Sequence, residues 1–206
     1  MASTASPYGL RAVNELGGLP YAGSTRQFLI DPAGYNTNIF NGSIVAINTS
    51  GYINIVTTNG DNSTPFPAGT IGVFVGCSFT NAQGQIIYSQ YYPANTASVQ
   101  GSAITAYVID DDRAVFQVQA NGSMAQTTLG MNVILSAVQS TSTGSTTTGN
   151  STTAVSSSAA ATSGYAFRVV GFADTPGFSA VGDAFTDILV KFNPGAHSYS
   201  NATGVA

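Results

Sequence analysis

Residues 103–119, which run AITAYVI-DDDR-AVFQVQ, carry the clearest signal for β-structure in the chain. Apolar and polar side chains alternate on both sides of the linker Asp110–Arg113, and this period of two is typical of half-buried strands. A four-residue polar linker commonly joins two antiparallel strands. The stretch therefore predicts a β-hairpin with strands at Ala103–Ile109 and Ala114–Gln119.

The same alternation extends outward in both directions. In Ile71–Phe79 the odd positions form an apolar core face, and the opposite face carries Gly72 and Gly76, which let another backbone come close. Further strands are predicted at Arg26–Ile30, Ser43–Asn48, Tyr52–Thr57, Ile86–Tyr92, Tyr165–Phe172 and Phe185–Phe192. No segment keeps a helical period beyond two turns. We predict an all-β, single-domain β-barrel or β-sandwich of about eight or more short strands.

Composition divides the 206 residues into zones. Residues 1–25 predict an extended N-terminal arm, with at most one helical turn near Arg11–Leu16. Residues 26–192 form the predicted β domain. Within it, residues 139–163 are a Ser/Thr-rich, low-complexity stretch, predicted to be a surface loop without core residues. Residues 193–206 predict a polar C-terminal tail.

Charge is scarce in this chain. Only 7% of its residues are charged, whereas a soluble domain typically carries about 25%. With five Lys and Arg against nine Asp and Glu, it has no basic patch for a phosphate backbone, which argues against direct nucleic-acid binding. The apolar runs are far shorter than the ~20 residues of a membrane span. No secretory signal is recognised, so we expect synthesis in the cytoplasm. A nearly uncharged surface favours a structural or assembly role, because interface cores are depleted of Lys, Glu and Asp.

Residues suited to catalysis are few. The single histidine, His197, lies in the polar tail and is predicted to be solvated. Cys77 falls in an apolar strand pattern and is predicted to be a buried, inert thiol. The adjacent carboxylates Asp110, Asp111 and Asp112 are weak candidates for a calcium site, but a charged turn that keeps the sheet soluble is the favoured interpretation. We expect neither an enzyme nor a cofactor.

Tyrosines keep a second function open. Tyr88 and Tyr92 are predicted to share a strand face with Ile86, and Tyr91 to point the other way. Core or subunit-interface packing is the favoured role for such rings. The alternative is a carbohydrate-binding or adhesive β module of a phage tail or bacterial surface.

Several motifs follow one another over most of the chain: SPYGLRAV (6–13), GG (17–18), YAGSTRQF (21–28), NIFNGSIV (38–45), TIGVFVG (70–76), YYPA (91–94), AYVIDDD (106–112), FQVQ (116–119) and FRVVGF (167–172). In this order they resemble the small head-associated structural proteins of tailed bacteriophages, the capsid decoration or cement proteins. The chain departs from that pattern at Ala12, where a proline is expected, and in its long Ser/Thr tract.

The resemblance implies a virion component on the outer capsid surface, made in the host cytoplasm. Its implied partners are the major capsid protein, whose neighbouring copies it would bridge to stabilise the expanded shell, and copies of itself in a dimer or trimer. It implies no catalytic residue. An extended arm could lie over a neighbour and become ordered on binding, so we predict capsid contacts at Pro7, Tyr8, Leu10 and Arg11.

Overall fold

The computed structural model describes residues 4–99, 101–174 and 178–205, and it confirms the all-β class. Eleven strands in these ranges form two antiparallel sheets that lie face to face as a sandwich and do not close into a barrel. No helix in the described part of the chain is long and apolar enough to cross a bilayer.

The strands are short, and most of them begin and end near Gly, Asn, Asp or Pro. They are β1 (Arg11–Glu15), β2 (Arg26–Ile30), β3 (Ile44–Ile47), β4 (Ile53–Ile55), β5 (Thr70–Thr80), β6 (Ile86–Ser89), β7 (Ile104–Ile109), β8 (Ala114–Gln119), β9 (Asn132–Val133), β10 (Phe167–Phe172) and β11 (Asp187–Phe192). Two short 3₁₀ turns lie at Gln126–Thr128 and Ser198–Ser200. Strand positions were therefore predicted well, apart from β1 and β9.

The sandwich core lies between the two sheets. The five-stranded sheet has the order β1-β8-β11-β10-β9, and the six-stranded sheet has the order β2-β7-β5-β3-β4, with β6 pairing the second half of β5. At the centre of this core, the Phe192 ring packs against Phe167 and Phe116, with ring centroids 4.9 Å and 5.8 Å away. Edge-to-face and tilted rings at such distances add to the free energy gained from burial.

A second apolar core lies on the other face of the six-stranded sheet. It contains Ile30, Phe74 and Cys77, and the segment before β3 covers it with Ile39. Tyr92 anchors this cover, because its hydroxyl accepts a hydrogen bond from the Tyr35 amide at 2.9 Å. The six-stranded sheet is thus apolar on both faces, which explains its unbroken apolar runs.

The predicted hairpin at residues 103–119 is wrong in its pairing. Strand β7 pairs with β2 and β5, whereas β8 pairs with β1 and β11 in the other sheet. Both edges of β7 are occupied, and its last residues, Val108 and Ile109, point into different cores. The linker Asp110–Arg113 is therefore the crossing between the sheets.

The alternation in β5 is interrupted twice. Register shifts make Ile71 and Val75 the extra residues, so Val73 faces the sandwich core while Phe74 and Cys77 face the second core. The predicted single apolar face of this strand is therefore wrong, since each bulge reverses the faces that follow it.

The N-terminal arm needs correction between residues 10 and 16. The expected helical turn is strand β1, which pairs with β8 at the edge of the five-stranded sheet. Leu10 is 1% exposed and belongs to the sandwich core. Sheet pairing with a strand about a hundred residues away outweighs the weak local helical signal.

The Ser/Thr-rich stretch also contributes to the core, contrary to the prediction. Val155 is fully buried, and Ser151 and Thr153 are buried beside it. At the start of the stretch, the Gln139 amide donates to the carbonyl oxygens of Ile44 and Val56 and accepts from the Ile44 amide at 2.9 Å. Small hydroxyl side chains bond to local backbone groups, so this stretch can be buried without regular strands.

Candidate docking surfaces

The polar tail is anchored at the sheet crossing. Arg26 Nη1 lies 2.9 Å from Asp110 Oδ2, which also accepts a hydrogen bond from the Tyr199 hydroxyl at 2.7 Å. Within the described residues this is the one ion pair. Asp110 is therefore a buried anchor and not part of a solvated hairpin tip.

The three consecutive carboxylates do not converge. Asp111 Oδ1 accepts the Arg113 amide at 2.8 Å, and Asp110 is bound to Arg26 and Tyr199. No group of three His, Cys, Asp or Glu side chains in the described ranges is placed to hold a metal ion. Asp111 stabilises the turn, and Asp110 holds the tail.

His197 is buried, contrary to its predicted solvation. It is 1% exposed, its ring stacks edge-on against Phe192 and Tyr199, and its Nδ1 accepts the Tyr199 amide at 3.3 Å. Burial lowers the pKa of His197, and the nearby Asp112 carboxylate partly opposes the shift. The tail folds over the sandwich because Phe192 presents an apolar surface for this ring.

Cys77 lies where the sequence predicted it, buried in the second core. Burial raises the pKa of its thiol to about 12. Because thiolate is the reactive form, this side chain is inert at neutral pH.

The four predicted capsid contacts lie in different surroundings. Leu10 is in the core, Pro7 and Tyr8 are half-buried, and Arg11 is exposed. The Arg11 guanidinium lies 4.6 Å from the centroid of the Tyr8 ring. Burial, together with the nearby Asp187 carboxylate, raises the pKa of Tyr8, and burial also raises the pKa of Asp187. Only Arg11 among the four presents a charge to solvent.

Arg11 belongs to a larger surface, which we call the cationic face: Arg11, Arg168, Lys191, Val170 and Leu189 on the outer side of the five-stranded sheet. The half-buried Asp187 lies on the same side, near Arg11. Arg168 and Lys191 are directly opposite each other on β10 and β11. None of the three cations forms an ion pair within the described residues.

An open cleft of about 390 Å³ lies next to these apolar side chains, between Leu16, Val115, Val170 and Leu189. Glu15 lines the same cleft. Sequence alone could have suggested this face, because Arg168 and Lys191 alternate with the core residues of their strands.

A second surface lies where the six-stranded sheet extends past β1. Its inner face there carries Gly76 and Ser78 from β5, Tyr88 from β6 and Tyr107 from β7, and we call these four residues the tyrosine trough. Tyr88 is 76% exposed. The prediction that Tyr88 and Tyr92 share a face is wrong, because β6 ends at Ser89 and Tyr92 is buried.

An open cleft of about 400 Å³ lies between β1 and the six-stranded sheet, and Val75 and Gln90 line it. It adjoins the trough at Gly76, because the Gln90 backbone lies next to that glycine. Asn41, Gln90 and Asn150 are among its lining residues, and we call this cavity the amide cleft. Gln90 Nε2 donates to Asn150 Oδ1 at 2.7 Å, and Asn41 Nδ2 donates to the Val75 carbonyl oxygen at 3.2 Å. No local pattern predicts this cleft, because its residues come from three distant parts of the chain.

Comparison of the chain with protein-family models, with curated proteins and with solved structures finds no match. The likeness to phage decoration proteins therefore rests on the motifs alone and stays a prediction.

Proposed function

We propose that this chain is a virion structural protein that decorates a phage capsid and stabilises the shell by bridging neighbouring major capsid proteins. The observation that carries the proposal is the cationic face. Three of the five basic residues of the chain lie on one side of one sheet without an ion pair, around the partly exposed side chains of Val170 and Leu189. The same side also carries the half-buried Asp187, so its charge is positive but not purely cationic.

Such a surface is suited to docking on a protein. Arginine is enriched in protein interfaces, and their usual arrangement is a central apolar region with a polar rim. Unpaired cations lose little on binding if the partner supplies carboxylates or carbonyl oxygens. A shell presents the same partner surface many times, so each contact can be modest.

The fold supports the same role. Two apolar cores, with the tail and the Ser/Thr-rich stretch both packed against the sandwich, make a domain suited to a mechanical function. The order of the motifs, from SPYGLRAV at 6–13 to FRVVGF at 167–172, favours a head-associated protein as well. We also propose that the chain associates with itself as a dimer or trimer. Analytical ultracentrifugation of the isolated protein would test this by giving its mass in solution.

The first test is the copy number of the chain in virions purified on a density gradient. Decoration requires a number comparable to that of the major capsid protein. A few copies per particle would place the chain in the tail and overturn the proposal.

The second test uses matched charge variants on undecorated capsids. Arg168→Gln with Lys191→Gln removes two positive charges from the cationic face. Gln83→Glu with Gln85→Glu changes the net charge equally in the exposed β5–β6 turn. We expect the first pair to weaken capsid binding about tenfold, or about 1.4 kcal/mol, and the second to leave it unchanged. Equal affinities for both double variants would exclude the cationic face.

A further inference from the structure

The tyrosine trough offers two ring surfaces next to small side chains. The Tyr107 hydroxyl lies 3.3 Å from Ser78 Oγ on the neighbouring strand, so its ring leans across β5, where Gly76 has no side chain. Tyr88, directly opposite Ser78 on β6, is largely exposed. Rings presented in this way give a ligand an apolar surface together with a polar hydroxyl group.

The amide cleft supplies directed hydrogen-bonding groups at the end of the trough. After the bonds that these side chains make to the protein, the Gln90 carbonyl oxygen, the Asn150 amino group and the Asn41 carbonyl oxygen have no partner among the described residues. Each amide can both donate and accept. A ligand with several adjacent hydroxyl groups could bond to all three.

Charge narrows the ligand class further. No acidic side chain lines the cleft, and Arg11 is its only charged residue. One cation is too few for a polyanion, which needs several phosphate or sulfate contacts. A purely apolar partner would bury the Gln90 and Asn41 carbonyl oxygens and the Asn150 amino group without hydrogen bonds, at a cost of about 1–3 kcal/mol each.

We propose that the tyrosine trough and the amide cleft together bind a neutral oligosaccharide. The apolar C–H faces of its sugar rings lie on Tyr88 and Tyr107, and its hydroxyl groups exchange hydrogen bonds with Asn41, Gln90 and Asn150. The cleft has about 400 Å³, which is within the size range of small-ligand sites. This inference does not depend on capsid decoration, because none of these five residues belongs to the cationic face.

The test uses the intact chain and three named probes: maltohexaose, cellohexaose and chitohexaose. Saturation-transfer NMR should detect contact with at least one of them, and titration then gives its Kd. Tyr88→Ala and Asn150→Ala should each weaken that Kd about tenfold, since each removes a ring surface or a directed donor. Thermal unfolding of each variant confirms that it is folded.

Phe178→Ala is the matched control, because Phe178 is 77% exposed, almost the same as Tyr88, and lies outside the trough. It should bind the probe like the unaltered chain. Saturation transfer from none of the three probes would overturn the proposal, as would an unchanged Kd in Tyr88→Ala. Concentration-dependent dimers that Tyr88→Ala abolishes, without probe binding, would assign the trough to a second copy of the chain.

Discussion

At the scale of single residues, Leu10 separates a folding role from an assembly role for the N-terminal segment. The sequence placed it among the capsid contacts, but it is buried in the sandwich core. A side chain that is already buried in the folded monomer has no apolar surface left to offer a partner. Its contribution is therefore to the free energy of unfolding.

We expect Leu10→Ala to lower the free energy of unfolding by about 2–5 kcal/mol, because it removes buried methyl groups and leaves a cavity. Leu19→Ala, in the same segment but 56% exposed, should change it by about 0.5 kcal/mol or less. Urea unfolding followed by circular dichroism gives both values. If both variants lowered the free energy of unfolding by the same small amount, Leu10 would not be part of the stabilising core.

His197 makes stability depend on pH. Its pKa in the folded chain lies below the 6.5 of an unperturbed histidine, because burial penalises the charged ring. At pH values between the folded and unfolded pKa, the unfolded chain binds more protons than the folded chain. The contribution of neutral His197 to the free energy of unfolding is therefore fully present above pH 6.5 and is lost as the pH falls. Burial raises the pKa of Asp187, so its contribution to the pH dependence has the opposite sign.

Urea midpoints at roughly pH 7.5 and pH 5.5 should therefore differ more for the unaltered chain than for His197→Phe. Phenylalanine keeps the ring contact with Phe192 and cannot be protonated, and Asp187 contributes to both proteins equally. A variant with the same pH dependence as the unaltered chain would contradict the role of His197.

At the scale of elements, strand positions could be predicted but their partners could not. Alternation is a local property, so β7 and β8 begin and end close to where the sequence predicts. Pairing depends on long-range competition, and β2 and β5 occupy both edges of β7. The turn-like composition of Asp110–Arg113 is equally compatible with a hairpin and with a crossing between sheets.

The candidate surfaces also show that a local pattern can be predicted from sequence, whereas an arrangement that depends on long-range pairing cannot. The cationic face follows from local alternation, because Arg168 lies between the core residues Phe167 and Val169. The tyrosine trough depends on the bulge at Val75, which turns Gly76 and Ser78 toward the same side as Tyr107. The burial of Val155 likewise could not be predicted from the Ser/Thr-rich composition of the stretch around it.

Strand β1 provides the prediction at this scale. Deleting residues 2–16 removes β1 and Leu10 together, exposing the edge of β8 and part of the sandwich core. We expect this deletion to lower the thermal unfolding midpoint far more than Leu10→Ala alone. Deleting residues 2–5 should shift it only slightly, because Thr4 and Ala5 are exposed. A stable domain without residues 2–16 would show that β1 is dispensable.

At the scale of the whole molecule, the two surfaces open on the same side. The tyrosine trough lies on the inner face of the six-stranded sheet, and the cationic face lies on the outer face of the five-stranded sheet. In a sandwich these two faces point in the same direction, so both surfaces are open to the same side of the molecule. Arg11 belongs to the cationic face and also lines the amide cleft. A capsid and an oligosaccharide bound at the same time would compete for the space around this residue.

Binding at the two surfaces should respond differently to ionic strength. Docking through Arg11, Arg168 and Lys191 relies on exposed charges, and salt shortens the range of their attraction from about 10 Å at 0.1 M to about 3 Å at 1 M. Capsid binding should therefore weaken about fivefold or more between about 0.05 M and about 0.5 M sodium chloride. Binding of the neutral oligosaccharide should stay constant, since it uses rings and amides.

Both affinities are measured on the same protein preparation over the same salt series. Arg168→Gln with Lys191→Gln serves as the control, because removing two of the three cations should flatten the salt dependence of capsid binding and leave oligosaccharide binding unaltered. Capsid binding that is insensitive to salt would move the docking contact from the cationic face to an uncharged surface. Oligosaccharide binding that falls with salt would show that Arg11 in the amide cleft, and not the tyrosine rings of the trough, dominates the affinity.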